Sequence, residues 1–458
     1  MSDEIFSSSV RIERPAADVF AWHEQPGAFA RLSPPWERVE VTAQAGGIRD
    51  GARVSLRTKV GPGWAGWEII HRDYVEGRQF RDVQVSGPFA RWEHLHRFEP
   101  AGENACVLTD EIRYRLPAGA LGRWGGGAFV RRKLERMFAY RHAVTKTDLE
   151  RADKTVPAKR VLVSGASGVV GRALLPFLQT QGHAVRRLVR GEPRSAEEFC
   201  WNPAEGEIDP AAWAEIDAVV HLAGENVAGG RWTEKRKREI LESRVAGTRT
   251  LVAAIAGLAP GARPEVLVSA SAVGFYGECG DQPVGETAAG GAGFLAEVCE
   301  AWEREVRAVE AWGVRAVCLR TGVVLTPAGG ALAKLLAVFG LGVGGPIGNG
   351  RQWMSWIGPD DLAALYLRAV ADRSWTGAFN AVAPEPVTNA EFATVLARMV
   401  RRPAVLRVPA WALKAVFGQM GKETLLVSTR AVPERVLAAG YAFREAELEG
   451  ALRRVLGR

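Results

Sequence analysis

The chain has 458 residues, 47% of them apolar and 24% charged, with 51 glycines and 24 prolines, enough for two or three domains. This composition excludes a disordered, collagen-like or coiled-coil protein, and a net charge of +7 is too mild to make nucleic acid the expected partner. The five cysteines (Cys106, Cys200, Cys279, Cys299, Cys318) contain no C-x-x-C pair, which suits a reducing compartment and gives no metal spacing.

At the start, the acidic segment MSDEIFSSSV lacks an apolar signal core, and no run of about 18 uncharged apolar residues follows anywhere. A cytoplasmic protein without membrane spans is expected. Residues 15–32 can form a helix, and β-type residues at 58–60, 67–70, 80–86, 90–99 and 105–116 predict strands. An amphipathic stretch rich in Arg and Lys at 125–150 predicts a long helix. These elements predict a first domain over 1–150 and a polar linker over 151–158 containing Pro157. Alternate residues of a strand share a face, so Trp92, His94, His96 and Phe98 point one way. That stripe is a candidate pocket wall carrying two imidazoles. No third ligand is evident beside His94 and His96, so no metal is expected. Six of the fifteen tryptophans (Trp22, Trp36, Trp64, Trp67, Trp92, Trp124) lie in this region, as an aromatic pocket or a core would require.

From residue 160 the pattern changes. Short apolar runs at 160–164, 218–222, 266–269 and 316–319 alternate with helix-length segments. This predicts βαβ units and a parallel sheet covered on both faces over 159–401. Residues 402–458 read as mainly helical, punctuated by Pro403, Pro409 and Pro433.

The most informative motif is Gly165-Ala166-Ser167-Gly168-Val169-Val170-Gly171, directly after the first of those runs and opening a helix. One glycine permits a tight turn, one admits a pyrophosphate against bare backbone, and one lets helix and strand pack closely. The helix N-terminus offers its unpaired N–H groups to phosphate. About twenty residues on, the second strand ends in Arg190 where an acid would favour NAD. A guanidinium there can pair with the 2′-phosphate, so NADP is expected and NAD is the lesser alternative.

Four segments together carry a resemblance: 165–171, His221-Leu222-Ala223-Gly224-Glu225-Asn226, the 269–277 run SASAVGFYG, and Asp360-Asp361-Leu362. They resemble the extended short-chain dehydrogenase/reductase superfamily, of the NAD-dependent epimerase/dehydratase type. Arg231-Trp232-Thr233, the 294–303 helix, the 340–357 stretch and the 380–386 run resemble its epimerase family protein branch. The resemblance implies that Leu222, Ala223, Gly224, Glu225, Asn226 and Arg244 stand near the cofactor, with Thr321 and Gly322 by the nicotinamide. It implies a substrate-polarising role for Ser271. The family's catalytic tyrosine and lysine fall on Leu295 and Cys299, which cannot serve; Tyr276 is the nearest substitute proton donor, with Cys299, Glu297 and Glu300 as further candidates. The arginine that sugar-nucleotide epimerases place on a diphosphate falls on Met354. Arg351 could compensate, and Gln352 and Trp353 read as pocket wall. A small, mostly apolar substrate is therefore expected.

Residues 1–150 resemble the START-like or SRPBCC ligand-binding superfamily, which implies a hydrophobic ligand. The expected fold is an α/β Rossmann-type doubly wound parallel sheet with a small, mostly helical C-terminal lobe, preceded by an α+β helix-grip domain. Two functions fit: an NADP-dependent oxidoreductase or epimerase, or a non-catalytic NADP sensor coupled to ligand binding. The oligomeric state is left open, a homodimer included.

Overall fold

The computed structural model describes residues 3–61, 63–117 and 119–458, with side chains except at 119–125; Trp124 lies outside the described side chains. The chain divides into two compact units. The first takes residues up to Pro157 with Gln179–Gly182 and Gly457–Arg458; the second takes Ala158–Leu178 and His183–Leu456.

The first unit contains β1 (Glu4–Ile12), α1 (Ala16–Glu24), α2 (Ala28–Leu32), β2 (Val39–Ala45), β3 (Arg53–Val60) and β4 (Gly63–Val75). It continues with β5 (Gln79–Ser86), β6 (Arg91–Pro100), β7 (Cys106–Arg115) and α3 (Gly119–Glu150). Its seven strands form one antiparallel sheet in the order β1-β7-β6-β5-β4-β3-β2. Along β7, Cys106, Leu108, Asp110, Ile112 and Tyr114 are buried while the residues between them are not, the period-two signature of a sheet with one covered face. The helix expected over 15–32 is two helices. Gln25 is extended (φ −64°, ψ 141°) because Pro26 sterically excludes the helical region from the residue before it.

The second unit begins with β8 (Arg160–Ser164), α4 (Val169–Thr180), β9 (Ala184–Val189), β10 (Glu198–Asn202), β11 (Glu207–Ile208), β12 (Ala218–His221) and α5 (Glu234–Gly257). Next come β13 (Val266–Ala272), β14 (Pro283–Val284), α6 (Phe294–Arg307), β15 (Arg315–Thr321), β16 (Val323–Val324), α7 (Gly330–Gly340), β17 (Trp353–Met354) and β18 (Trp356–Ile357). Then follow α8 (Pro359–Ala371), β19 (Gly377–Ala381), β20 (Val387–Thr388), α9 (Asn389–Val400), α10 (Ala410–Phe417), α11 (Gln419–Thr424), β21 (Arg430–Ala431), α12 (Glu434–Ala438) and α13 (Leu448–Leu456). Eight strands form the main sheet in the order β11-β10-β9-β8-β12-β13-β15-β19. All pairings are parallel except β10–β11.

Both faces of this sheet are covered, which is why its strands are apolar throughout. Val161 and Val163 pack with Leu174 and Phe177 of α4 and Leu365 of α8 on one side. Leu162 packs with Leu251 of α5 and Trp302 of α6 on the other. The order reverses between β9–β8 and β12, so the C-terminal ends of β8 and β12 flank the crevice where such sheets bind ligands.

Residues 402–456 are built into this second unit. α13 packs with α7 and α9, and β21 pairs with β14. The buried carboxylate of Asp361 accepts hydrogen bonds from Tyr441 Oη (2.8 Å) and the backbone N–H of Arg444 (2.8 Å), which ties α8 to this segment. Among the described residues no helix is long and apolar enough to cross a membrane.

Candidate functional site

The three glycines of the β8–α4 turn meet three different constraints. Gly165 has φ +72°, and a Cβ there would stand 2.6 Å from the backbone of Leu222 and Ala223. A Cβ at Gly171 would stand 2.4 Å from the Ala166 carbonyl oxygen, so helix and turn close onto each other. Gly168 is different: its Cβ would meet only the Gly165 oxygen at 3.2 Å, and Ser167 and Gly168 are exposed. The glycine therefore keeps open a face at the N-terminus of α4, where the N–H groups of Val169, Val170 and Gly171 have no intrahelical acceptor. Bare backbone, free donors and a helix dipole fit a pyrophosphate.

Arg190 lies one residue beyond the end of β9, exposed, and makes no hydrogen bond or ion pair among the described residues. Arg187, on the same strand, is held by Glu198 (3.2 Å) and Ser195. A free guanidinium at this strand end is what a 2′-phosphate requires.

The loop after β12 is fixed to α5. Arg236 donates to Glu225 (2.9 Å) and to the Asn226 carbonyl (2.6 Å), and Ser243 Oγ accepts from the Glu225 N–H. The Arg236 hydrogen bond, with Arg190 contributing, holds the Glu225 carboxyl below its ordinary value. Asn226 Oδ1 accepts from the Ala228 N–H. The Arg244 guanidinium lies against Gly224, where a Cβ would come within 3.2 Å of Cζ, and over the Trp302 ring at 5.1 Å. It donates to the Ile240 carbonyl and has no carboxylate partner among the described residues, which suits contact with an anion.

His221 ends β12 with 0% exposure and shares a 2.6 Å hydrogen bond with Ser164 Oγ. Burial first, then the Arg244 charge, lowers its pKa from 6.5 to about 3. On acidification the unfolded chain takes up this proton near pH 6.5, whereas the folded chain refuses it until about pH 3, so stability falls through that window. At pH 5 the loss is about 2 kcal/mol. A His221→Gln variant is expected to lose that much less between pH 7 and pH 5 in urea unfolding; an unchanged acid limb would contradict the assignment.

Below the strand ends lies a closed polar cluster. Ser271 Oγ donates to Glu303 Oε1 (2.8 Å), and Arg320 grips both oxygens of Glu303 through Nε and Nη2 (2.8 Å each). Arg320 Nη1 donates to Tyr276 Oη (3.0 Å), which donates to Asn380 Oδ1 (2.7 Å). The Phe275 ring lies 3.5 Å from the Arg320 guanidinium carbon. The hydroxyls of Ser271 and Tyr276, the candidate substrate-polarising group and proton donor, are both buried and hydrogen-bonded within this cluster. The strand's period of two puts Ser271 on the same face as Leu267, which packs with Trp302 of α6. Burial also raises the Tyr276 phenol, against the pull of Arg320.

The positions matching the family's tyrosine and lysine supply no substitute. Leu295 is aliphatic. Cys299 is buried, and desolvation with Glu303 nearby pushes its thiol up to about 11. Glu297 and Glu300 are exposed on α6. Thr321 Oγ1 donates to its neighbour Leu319 carbonyl, and Gly322 lets the chain pass the Ser355 carbonyl, 2.5 Å from where a Cβ would stand. Trp353 Nε1 donates to Asp281 (3.0 Å) with Arg430 over its ring; Arg351 is exposed with no side-chain partner among the described residues.

In the first unit the β6 stripe does share a face, but it is filled. Trp92 packs against Trp67, Phe89 and Tyr114, and His94 lies edge-on to Phe138 of α3. The expected pocket wall of Trp92, His94 and His96 is thus buried, and a carboxylate–imidazole cluster surrounds its histidines. Asp82 pairs in register with His94 and His71, and Asp110 with His96. Asp110 is 2.8 Å from His94 Nε2 and 2.6 Å from His142 Nε2. Burial opposes the charged form of His96, but Asp110 and Asp82 outweigh it and raise its pKa to about 9.

Sheet order, glycine turn and free strand-end guanidinium define a Rossmann-type dinucleotide-binding protein carrying an antiparallel helix-grip unit. Residues 161–381 match the NAD dependent epimerase/dehydratase family, 408–455 a domain of unknown function (DUF1731), and 4–150 the polyketide cyclase / dehydrase and lipid transport family. An epimerase family protein of Mycobacterium bovis is 42% identical over 292 residues, 64% of this chain and 96% of the relative. The human epimerase family protein SDR39U1 is 36% identical over 300 residues, 65% of this chain and 99% of its own. The chain belongs to this epimerase family. A nucleoside-diphosphate sugar epimerase from Corynebacterium glutamicum superposes with TM-score 0.80 at 32% identity, covering 99% of this chain and 90% of that one. The human SDR39U1 structure, solved with NADPH, gives TM-score 0.59 at 34% identity over 65% of this chain and 99% of that one.

Proposed function

We propose that the second unit binds NADP(H) and that the protein is an oxidoreductase or epimerase for a small, mostly apolar molecule. The observation that carries this is the unpaired Arg190 guanidinium at the end of β9, beyond a glycine turn that leaves α4's first N–H groups open. The NADPH in the human relative's structure supports it. Gly165, Ser167, Gly168, Val169, Val170 and Gly171 would hold the pyrophosphate, and Arg190 the 2′-phosphate. Leu222, Ala223, Gly224, Glu225, Asn226, Arg244, Thr321 and Gly322 would line the remainder. The nicotinamide supplies two-electron redox chemistry; the chain's part is to bind, orient and exclude water. Met354 at the position of the diphosphate-binding arginine argues for a less charged substrate than a nucleotide sugar, since an unpaired diphosphate is costly to desolvate.

A second reading is favoured by one observation: Ser271 and Tyr276 are locked into the buried cluster. On it, the protein senses NADP(H) without turnover, and the first unit, whether a substrate carrier or a ligand receptor, reads that state. Fluorescence titration tests the shared part. NADPH is expected to bind more tightly than NADH, and Arg190→Ser to weaken NADPH by at least about tenfold while leaving NADH unchanged. Tighter NADH binding would overturn the assignment. Transfer of label from deuterated NADPH to small carbonyl compounds then separates the readings: none, with binding intact, selects the sensor.

A further inference from the structure

We propose that the first unit holds a divalent metal of the zinc type between Asp82, His94 and His96. The three ligand atoms converge, all lying within 4.8 Å of one another. Asp82 Oδ2 is 3.3 Å from His96 Nε2 and 3.6 Å from His94 Nδ1. A tetrahedral ion with bonds of about 2.0–2.1 Å spaces its ligand atoms about 3.3 Å apart, so the two spacings from Asp82 to the histidines are already close to what one requires. Two imidazoles and a carboxylate suit a borderline divalent transition ion, with a fourth position left for water or the oxygen of a small ligand.

Two further observations separate this site from a plain set of ion pairs. The first lies behind the ligands. His94 directs its far nitrogen, Nε2, at Asp110 (2.8 Å), and His96 Nδ1 lies 2.8 Å from the same carboxylate oxygen. Asp110 is itself steadied by His142 (2.6 Å). The hydrogen bond to Asp110 fixes which nitrogen of His94 faces inward, the arrangement that metal-binding imidazoles need. The second is a misfit. His71 Nδ1 and Asp82 Oδ1 are 2.8 Å apart, yet each is buried without a properly directed hydrogen bond, and so is His96 Nδ1. Among the described residues His96 Nε2 alone makes a directed hydrogen bond to Asp82, at the long distance of 3.3 Å, so the imidazoles leave part of this carboxylate unsatisfied. The ligands also stand on paired strands, with Asp82 opposite His94, so the backbone holds their spacing. Five of the chain's seven histidines (His23, His71, His94, His96, His142) belong to this unit.

The test uses tag-free, full-length protein freed of metal with a chelator and titrated with Co2+. One equivalent is expected per chain, with the visible absorption of low-coordinate cobalt and displacement by Zn2+. Asp82→Asn, which keeps size and shape, is expected to lower Co2+ affinity by at least about 100-fold, and Asp110→Asn by about 10–100-fold. Circular dichroism of each variant establishes that it folds. The wild-type titration decides by itself if a variant fails: absence of stoichiometric Co2+ binding overturns the proposal. Equal affinity in a folded Asp82→Asn variant overturns it as well.

Discussion

Replacing Arg320 with methionine is expected to cost the second unit about 3–5 kcal/mol of unfolding free energy. Arg320 and Glu303 are 4% and 2% exposed, and their two-point contact spans β15 and α6. Together they are nearly neutral. Apart, Glu303 keeps a charge that no other cation reaches within its hydrogen-bonded cluster, and burying it alone carries the full desolvation penalty. Ser271 donates to that same carboxylate, and Tyr276 accepts from that same guanidinium, so the loss spreads through the cluster. The geometry of the pair holds the Arg320 guanidinium charged even though burial disfavours it. Urea unfolding followed by tryptophan fluorescence measures the cost. Arg320→Met with Glu303→Leu is expected to recover most of it, because an apolar pair of similar volume removes the stranded charge. A single-variant cost below about 1 kcal/mol would mean that water or rearrangement compensates Glu303.

This cluster also marks where the sequence stopped being informative. Parallel strands were legible because a strand covered on both faces must be apolar throughout, as in Val161-Leu162-Val163 and Ala218-Val219-Val220. The glycine turn was legible because its spacing records three local constraints, each met within a few residues. Long-range partnership leaves no such local trace. Glu303 looks like any acid on an amphipathic helix, and only folding brings it to Arg320. Likewise, Trp92, His94, His96 and Phe98 were correctly placed on one face, but the side chains that fill that face come from elsewhere. Asp82 and Asp110 arrive through strand register and His142 through a helix 32 residues beyond Asp110. A third metal ligand is not legible along the sequence because the candidate, Asp82, sits across the ladder rather than along the strand. Asp361 is a related case: a motif residue whose partners, Tyr441 and Arg444, lie some eighty positions away. The break at Gln25-Pro26 is different, since the proline that causes it is a local signal in the sequence itself.

A Gly168→Val variant is expected to abolish NADPH binding, by at least about 100-fold in titration, while shifting unfolding free energy by less than about 1 kcal/mol. The contrast with its neighbours makes this informative. Side chains at Gly165 or Gly171 would drive a Cβ to 2.6 or 2.4 Å from backbone atoms, so variants there damage the fold and say little about ligands. At Gly168 the nearest atom is the Gly165 oxygen at 3.2 Å, and the residue is not among those with positive φ. Valine can therefore be accommodated by the chain but not by a phosphate group approaching the N–H groups of Val169, Val170 and Gly171. Removing even a few charge-assisted hydrogen bonds to phosphate, at about 1.5–3 kcal/mol each, accounts for the expected loss. Wild-type affinity in a well-folded Gly168→Val protein would place the coenzyme away from this helix terminus. The catalytic and sensing readings would then fail together, whatever the first unit binds.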